Sequence, residues 1–380
     1  MEFLQGSKGA LNYVAETVFG TTPTTPAMKA SRFLIPKFGM KRNTLQSKEN
    51  RSDRQIAAIK YGTKQGSIDL PFELSYGAFD DFLSATLGGA WATDILKTGN
   101  TLSSFTMEHQ NTEMGLYEYH KGVTFNGMQL SVKPDAIVTG SFSCLAKDQQ
   151  VIEAIGVSVT INIVAKTITR ASGSFITDGF VTGLNYGLQG MTNAGNNTAV
   201  FTNVTVAALT LTYASVTGTP VAEGPTTATV HLDTLGAPSA AATNAPYDTF
   251  TGALNEGGTA LAIVTGVDLS FQNNLSSDFT LFADSAQHVS QGRIVLTGNL
   301  SCYVVNQQLK KKFLNGTAST LDFTLGGTSA GAKGLKFSMS NVMYTGHDRN
   351  QDEGSAIETL PFQAIYNATD AGNLTITRYP

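Results

Sequence analysis

The amino-acid sequence predicts a mainly β fold built from two related sheet units, with a further β domain inserted between them. Three observations lead there. Ile137–Gln150 lines up without gaps on Val295–Gln308, so that Thr139, Gly140, Ser143, Cys144, Gln149 and Gln150 meet identical residues at Thr297, Gly298, Ser301, Cys302, Gln307 and Gln308. Both copies alternate apolar with small polar side chains, the period-2 pattern of a half-buried strand, and two copies are too few for a solenoid or propeller. The chain of 380 residues is 41% hydrophobic and holds 38 glycines, but only 14% of it is charged. Soluble domains usually carry ~25% charge, and this shortfall with abundant Thr, Ser, Asn and Gly suits a turn-rich β protein whose surface meets other protein. Finally, all 25 Lys and Arg residues lie outside Ala171–Thr265, a break in composition that marks an insertion.

Taken in order, Phe3–Thr25 is turn-rich and runs into a Thr-Thr-Pro-Thr-Thr-Pro stretch, which predicts an extended N-terminal arm over residues 1–30. A core domain is expected over 31–170 and 266–380, and an inserted outer β domain over 171–265. Lys41–Asn50 and Gln65–Leu74 read as strands joined by Arg51–Lys64, a connection longer than hairpins usually use. The second of them places Ile68, Leu70, Phe72 and Leu74 on one face and Ser67, Asp69 and Glu73 on the other. Gly77–Leu87 reads as a helix, with Phe79, Phe82, Leu83 and Leu87 on one side, acids in the first turn and Gly88-Gly89 as a stop. A second short helix is expected over Asn306–Leu314, with Gly316 after it. The inserted stretch contains strand patterns at Thr198–Val206 and Leu209–Ala214 between segments rich in Pro, Ala and Gly.

Composition excludes several functions. A net charge of -4 and a pI near 5.8 do not suit a protein that grips nucleic acid through a basic face. The five histidines show no metal-ligand spacing, and no phosphate-binding or zinc motif occurs, so neither cofactor nor metal is expected. Gly327–Gly331 matches the G-x-S-x-G elbow around Ser329, but the following residues read as another strand where a nucleophile elbow needs a helix. Asp348–Gly354 begins like a calcium loop, yet Glu353 stands where the turn glycine belongs. The start of the chain has no apolar leader and the longest apolar run, Val151–Ala165, is too short to span a bilayer, so a soluble protein without a membrane partner is expected. Cys144 and Cys302 are expected to be buried, reduced thiols.

Glu16–Pro23, Leu45–Arg54, Gly62–Gly66, Leu70–Leu83 and Leu87–Trp91, followed later by Gly266–Asn273, Gly298–Gly316 and Phe362–Arg378, resemble in their order the major tail tube proteins of long-tailed bacteriophages with non-contractile tails. The resemblance implies a tail-tube type β-sandwich or split barrel with short flanking helices. It also implies hexameric rings that stack into the tube through which the genome leaves the virion, after assembly in the host cytoplasm. Its implied partners are further copies of the chain, a tape measure protein, tail tip and terminator proteins, and double-stranded DNA in transit without specific binding. On this resemblance Arg51–Lys64 is expected to reach the adjoining ring, with Ile56, Ile59 and Tyr61 as apolar contacts and Arg51, Asp53 and Arg54 as rim charges. Asp69 and Glu73 would face the bore and repel phosphate. The insert, of immunoglobulin-like sandwich form, would decorate the tube. A carbohydrate-binding adhesin is the alternative reading.

Overall fold

The computed structural model describes residues 9–23, 26–111, 116–233, 238–329, 331–350 and 354–380. The protein is mainly β, with 53% strand and 5% helix, as the alternating patterns require. Two compact units are present. One draws on the segments up to Ser31, Phe105–Val123 and Asp148–Ala241, and the other on Arg32–Ser104, Thr124–Lys147 and the chain from Ala242 onward.

The first unit contains a closed sheet. Strand Leu184–Gln189 pairs with Glu223–Leu232, which pairs with Ile155–Asn162; the ladder continues through Thr167–Arg170, Thr210–Thr212 and Val200–Val206 and returns to Leu184–Gln189. Closure removes the free edges that an open sandwich would have kept. Inward residues Val159, Ile161, Ile168, Tyr186, Leu188, Phe201, Val204, Leu211 and Val230 fill the barrel. The barrel begins at Ile155, and the strands Gly252–Glu256 and Val264–Gln272 belong to the other unit, so residues 171–265 fall partly in each. Within the segment expected as an extended arm, Ala10–Ala15 forms a strand antiparallel to Ser104–Asn111, with Leu11, Tyr13 and Val14 buried.

The larger unit carries a long antiparallel sheet whose strands follow one another as Lys37–Gln46, Ile59–Glu73, Thr139–Ala146, the part of Leu116–Val132 from Thr124 onward, Val264–Gln272, Val295–Tyr303 and Ile357–Ala364, the last flanked by Gly334–Tyr344 and Asp348–Asn350. One face is the core. Phe72 stacks on Phe142 at 4.5 Å, Phe82 of helix Asp80–Leu87 lies 4.9 Å from Phe125, and in the second half Phe323 stacks on Phe337 at 4.9 Å. Helix Asp80–Leu87 ends as predicted on Gly88, which takes the left-handed conformation at φ 66. The second expected helix is Gln308–Leu314.

The echoed segments do not hold equivalent places. Thr139–Ala146 lies fourth in its half by sequence, after the helix, whereas Val295–Tyr303 precedes its helix and is the counterpart of Ile59–Glu73. The likeness arises because both strands carry a glycine opposite a phenylalanine in the same pairing: Gly140 faces Phe72, and Gly298 faces Phe362. The duplication therefore runs through the order of strands, and the two glycine–phenylalanine pairs stand at different rungs of its halves, Gly140–Phe72 corresponding to Glu358–Cys302 and Gly298–Phe362 to Ile68–Cys144.

The second half holds a polar cluster inside its core. Lys312 Nζ donates to both Glu256 oxygens at 2.8 and 2.7 Å and to Ser319 Oγ at 3.0 Å, while Tyr344 Oη donates to Glu256 Oε1 at 3.0 Å. Glu256 is buried and Lys312 partly wet. Replacing Lys312 with Met is expected to leave a buried carboxylate without its cation and to lower unfolding free energy by roughly 3 kcal/mol, the low end for such pairs because the ammonium keeps some water. Chemical denaturation checks this, and Tyr344→Phe, which removes one donor to the same carboxylate, is expected to cost about 1.5 kcal/mol.

Candidate functional site

The connection expected as a loop over Arg51–Lys64 is loop as far as Ala58 and strand from Ile59 onward. Lys37–Gln46 and Ile59–Glu73 pair from Lys37↔Asp69 out to Gln46↔Ile59, and the Ser47 amide closes the ribbon on the Ala58 carbonyl at 2.8 Å. Arg51, Asp53, Arg54 and Ile56 thus lie in the end loop, whereas Ile59 and Tyr61 lie on the returning strand. Between Lys41 and Tyr61 only Ser47 and Ala57 are even half-buried. A two-stranded ribbon with water on both faces is marginal by itself. This one nevertheless exposes Leu45, Ile56, Ile59 and Tyr61, the last at 72%.

The tip is held by charge. Arg51 donates from Nε and Nη2 to the two oxygens of Asp53 at 2.9 and 2.7 Å, and Arg54 turns the chain at φ 61. The Arg51 hydrogen bonds hold the Asp53 carboxyl below its usual range, with the Gln55 amide adding to the effect. A lowered carboxyl keeps its pair above the ordinary value of ~3.9 and loses it only as pH falls through the lowered one. Any association made by this tip is accordingly expected to stay flat from about pH 8 to pH 5, and to weaken across that range in Asp53→Asn, as light scattering of the assembling protein would show.

Beside the ribbon's base runs the loop between Ser276–Asp278 and His288–Ser290. Lys64 N donates to Asp284 O at 2.8 Å, and the Asp284 carboxylate lies 3.4 Å from Lys64 Nζ. The loop presents Leu281 at 85% exposure and a fully exposed Phe282 held at φ 67. Sequence reasoning missed both. The signal available was position, for this loop and the ribbon tip each join the first two strands of their half.

The face of the long sheet opposite the aromatic core is polar. Ile68, Leu70, Phe72 and Leu74 are buried, which puts Asp69 and Glu73 on the other side as the alternation predicts. Paired residues share a face, and the ladders carry it from Asp69 to Ser143, and along neighbouring rungs through Ser141, Gln129, Ser270, Thr297 and Gln363. Asp268 belongs to it, its Oδ1 accepting from Ser131 Oγ at 2.6 Å. Lys37 stands directly across from Asp69, so part of that acid's charge is offset. Hydroxyl and amide groups dominate the surface.

Comparison with known proteins fits this arrangement. Residues 6–364 match the family described as phage tail tube protein. The chain belongs to that family. No curated protein matches it. As a phage tail tube protein it is a structural component of the virion, one that assembles with itself and with other tail parts. Membership in a structural family speaks against an enzyme, and the strand Gly334–Tyr344 stands where an elbow at Ser329 would need its helix; Ala330 of that motif lies outside the described residues. The calcium-loop pattern includes residues 351–353, which also lie outside them. Both cysteines are free and buried, and burial, followed by the nearby Glu358, pushes the Cys302 thiol up to about 12. Among the described residues no helix is long and apolar enough to cross a membrane.

Proposed function

We propose that this tail tube subunit forms rings with six repeats around a central bore, that the rings stack, and that the resulting conduit delivers the genome into the host. The observation that carries the reading is the solvated ribbon Lys41–Tyr61, an element with no fold of its own to pack against and with apolar groups placed for a neighbour. Ile56, Ile59 and Tyr61 would dock on the adjoining ring, ringed by Arg51, Asp53 and Arg54, and Leu281 and Phe282 would add to the same contact. The polar face with Asp69, Glu73 and Asp268 would line the bore. DNA held by no array of cations slides, because Lys and Arg on phosphates are what retain it. Tape measure, tip and terminator proteins are the partners such a tube requires.

Electron microscopy of the purified protein tests this. Stacked tubes are expected, and a reconstruction should place the ribbon across the ring interface and Asp69, Glu73 and Asp268 in the lumen. Monomers at high concentration, or a ribbon lying free on the tube exterior, would reject it. We further propose that the barrel is an added module that the tube does not need. Ile155 pairs with Val230, so its entry and exit are adjacent. Replacing residues 155–230 with a short Gly-Ser linker is expected to preserve tubes under the same microscope; loss of tubes from a still-folded protein would make the barrel part of the assembly.

A further inference from the structure

The long sheet is one module built twice, and the seam between its halves is a contact that can be repeated. Along the ladder each module contributes strand, long connection, strand, helix, strand, strand: Lys37–Gln46, Ile59–Glu73, Asp80–Leu87, the end of Leu116–Val132 and Thr139–Ala146 in the first, then Val264–Gln272, Val295–Tyr303, Gln308–Leu314, Gly334–Asn350 with a break, and Ile357–Ala364 in the second, with Ile95–Lys97 and Ser104–Asn111 following the first helix and Ser319–Leu325 the second. The registers superpose as well. Gly66–Glu73 pairs with Ala146–Thr139 over the same length as Leu296–Tyr303 with Ala364–Ile357. A bulge follows Phe125 and ends at Gly127 in the first module; in the second, the register shifts between Tyr344 and Asp348, which sets Gly346 as the counterpart of Gly127.

The modules are joined head to tail. Gly127–Val132, at the tail of the first, pairs with Gln272–Val267, at the head of the second. The chain's own head and tail are the equivalent strands. Among the described strands, Lys37–Gln46 has a ladder on one side, with Ile59–Glu73, and Asp348–Asn350 has one, with Ile357–Ala364. Burial tells the same story: Leu269 and Phe271 at the joined head are buried, while their counterparts Phe38 and Met40 are half-buried.

We propose that the head strand of one copy adds to the tail edge of the next in the register of the internal seam, so that each chain supplies two repeats and three chains close a ring of six. This rests on the tube reading and specifies its count. Transferring the seam sets Lys41 opposite Gly346 and Gly39 opposite Asp348. Asp348 then lies diagonally between Lys37 and Lys41, a charge match that favours a second copy as the occupant. Such a contact joins two different edges, so it propagates in one direction and ends only by closing a ring.

Paired cysteines test the register and the count together. Gly39→Cys with Asp348→Cys, and separately Lys41→Cys with Gly346→Cys, are introduced into the full chain, whose native thiols are buried. Oxidised tubes are expected to give a ladder on non-reducing gels that stops at three chains, with about tenfold less product from the out-of-register pair Lys41→Cys with Asp348→Cys, because a disulfide tolerates little displacement. A ladder ending at six overturns the count. Tubes visible by microscopy with no ladder from either in-register pair overturn the seam and leave the tube reading standing. Wild-type protein that forms no tubes removes that reading and this one with it.

Discussion

Replacing Ile59 and Tyr61 together with Asp is expected to leave a folded chain that still forms rings and no longer forms tubes. Both side chains sit on the solvated ribbon, at 57% and 72% exposure, so their loss removes little from the fold of a single copy. Arg42 stacks over the Tyr61 ring at 5.1 Å, but an exposed contact of that kind contributes only ~0.5–1 kcal/mol. If the ribbon docks on the next ring, however, each copy loses the burial of two anchors, on the order of 3–6 kcal/mol, and places two carboxylates against an apolar seat. Every copy in the ring repeats that loss, so the effect on stacking is cooperative and should be near complete. Sedimentation and negative-stain images of the variant provide the check: rings without tubes are expected, and tubes at wild-type yield would show that the ribbon is not the stacking contact.

The ribbon also shows where sequence reasoning reaches and where it stops. Ile68, Leu70, Phe72 and Leu74 were legible because one face of their strand meets a core and the other does not, which imprints a period of two. The same strand continues outward past Tyr61, but there both faces are wet and nothing enforces alternation, so Arg51–Lys64 read as loop. Asp69 and Glu73 could be assigned a common face for the same reason that the core could, whereas Asp268 could not, since its place depends on the pairing of Val264–Gln272 with Leu116–Val132 across a long separation in sequence. Barrel closure was hidden in the same way: Leu184–Gln189 meets both Glu223–Leu232 and Val200–Val206, and only the second is near it in the chain. The order of family motifs was readable where the pairing partners were not.

The glycines behind the misleading echo carry the largest expected effect on stability. A Cβ at Gly298 would stand 2.3 Å from the Asp268 carbonyl oxygen and 2.4 Å from the Phe362 ring; at Gly140 the distances are 2.4 Å from the Gln129 carbonyl oxygen and 2.5 Å from the Phe72 ring. A ring could turn aside, but each carbonyl belongs to a neighbouring strand fixed by its own ladder. Overpacking a core usually costs 1–3 kcal/mol through side-chain shifts, so a clash with backbone should exceed this, about 4 kcal/mol for either Ala variant. In a unit of this size that lowers Tm by about 10 °C, and it consumes much of a typical domain's 5–15 kcal/mol. Gly156→Ala, where the added carbon meets nothing within 4 Å, serves as the control and is expected to stay within ~0.5 kcal/mol of wild type. The double variant Gly140→Ala with Phe72→Leu separates the two causes. Freeing the ring leaves the carbonyl in place, so stability should not return; recovery to near the Phe72→Leu value would mean that the aromatic ring, not the strand backbone, is what reserves these positions for glycine.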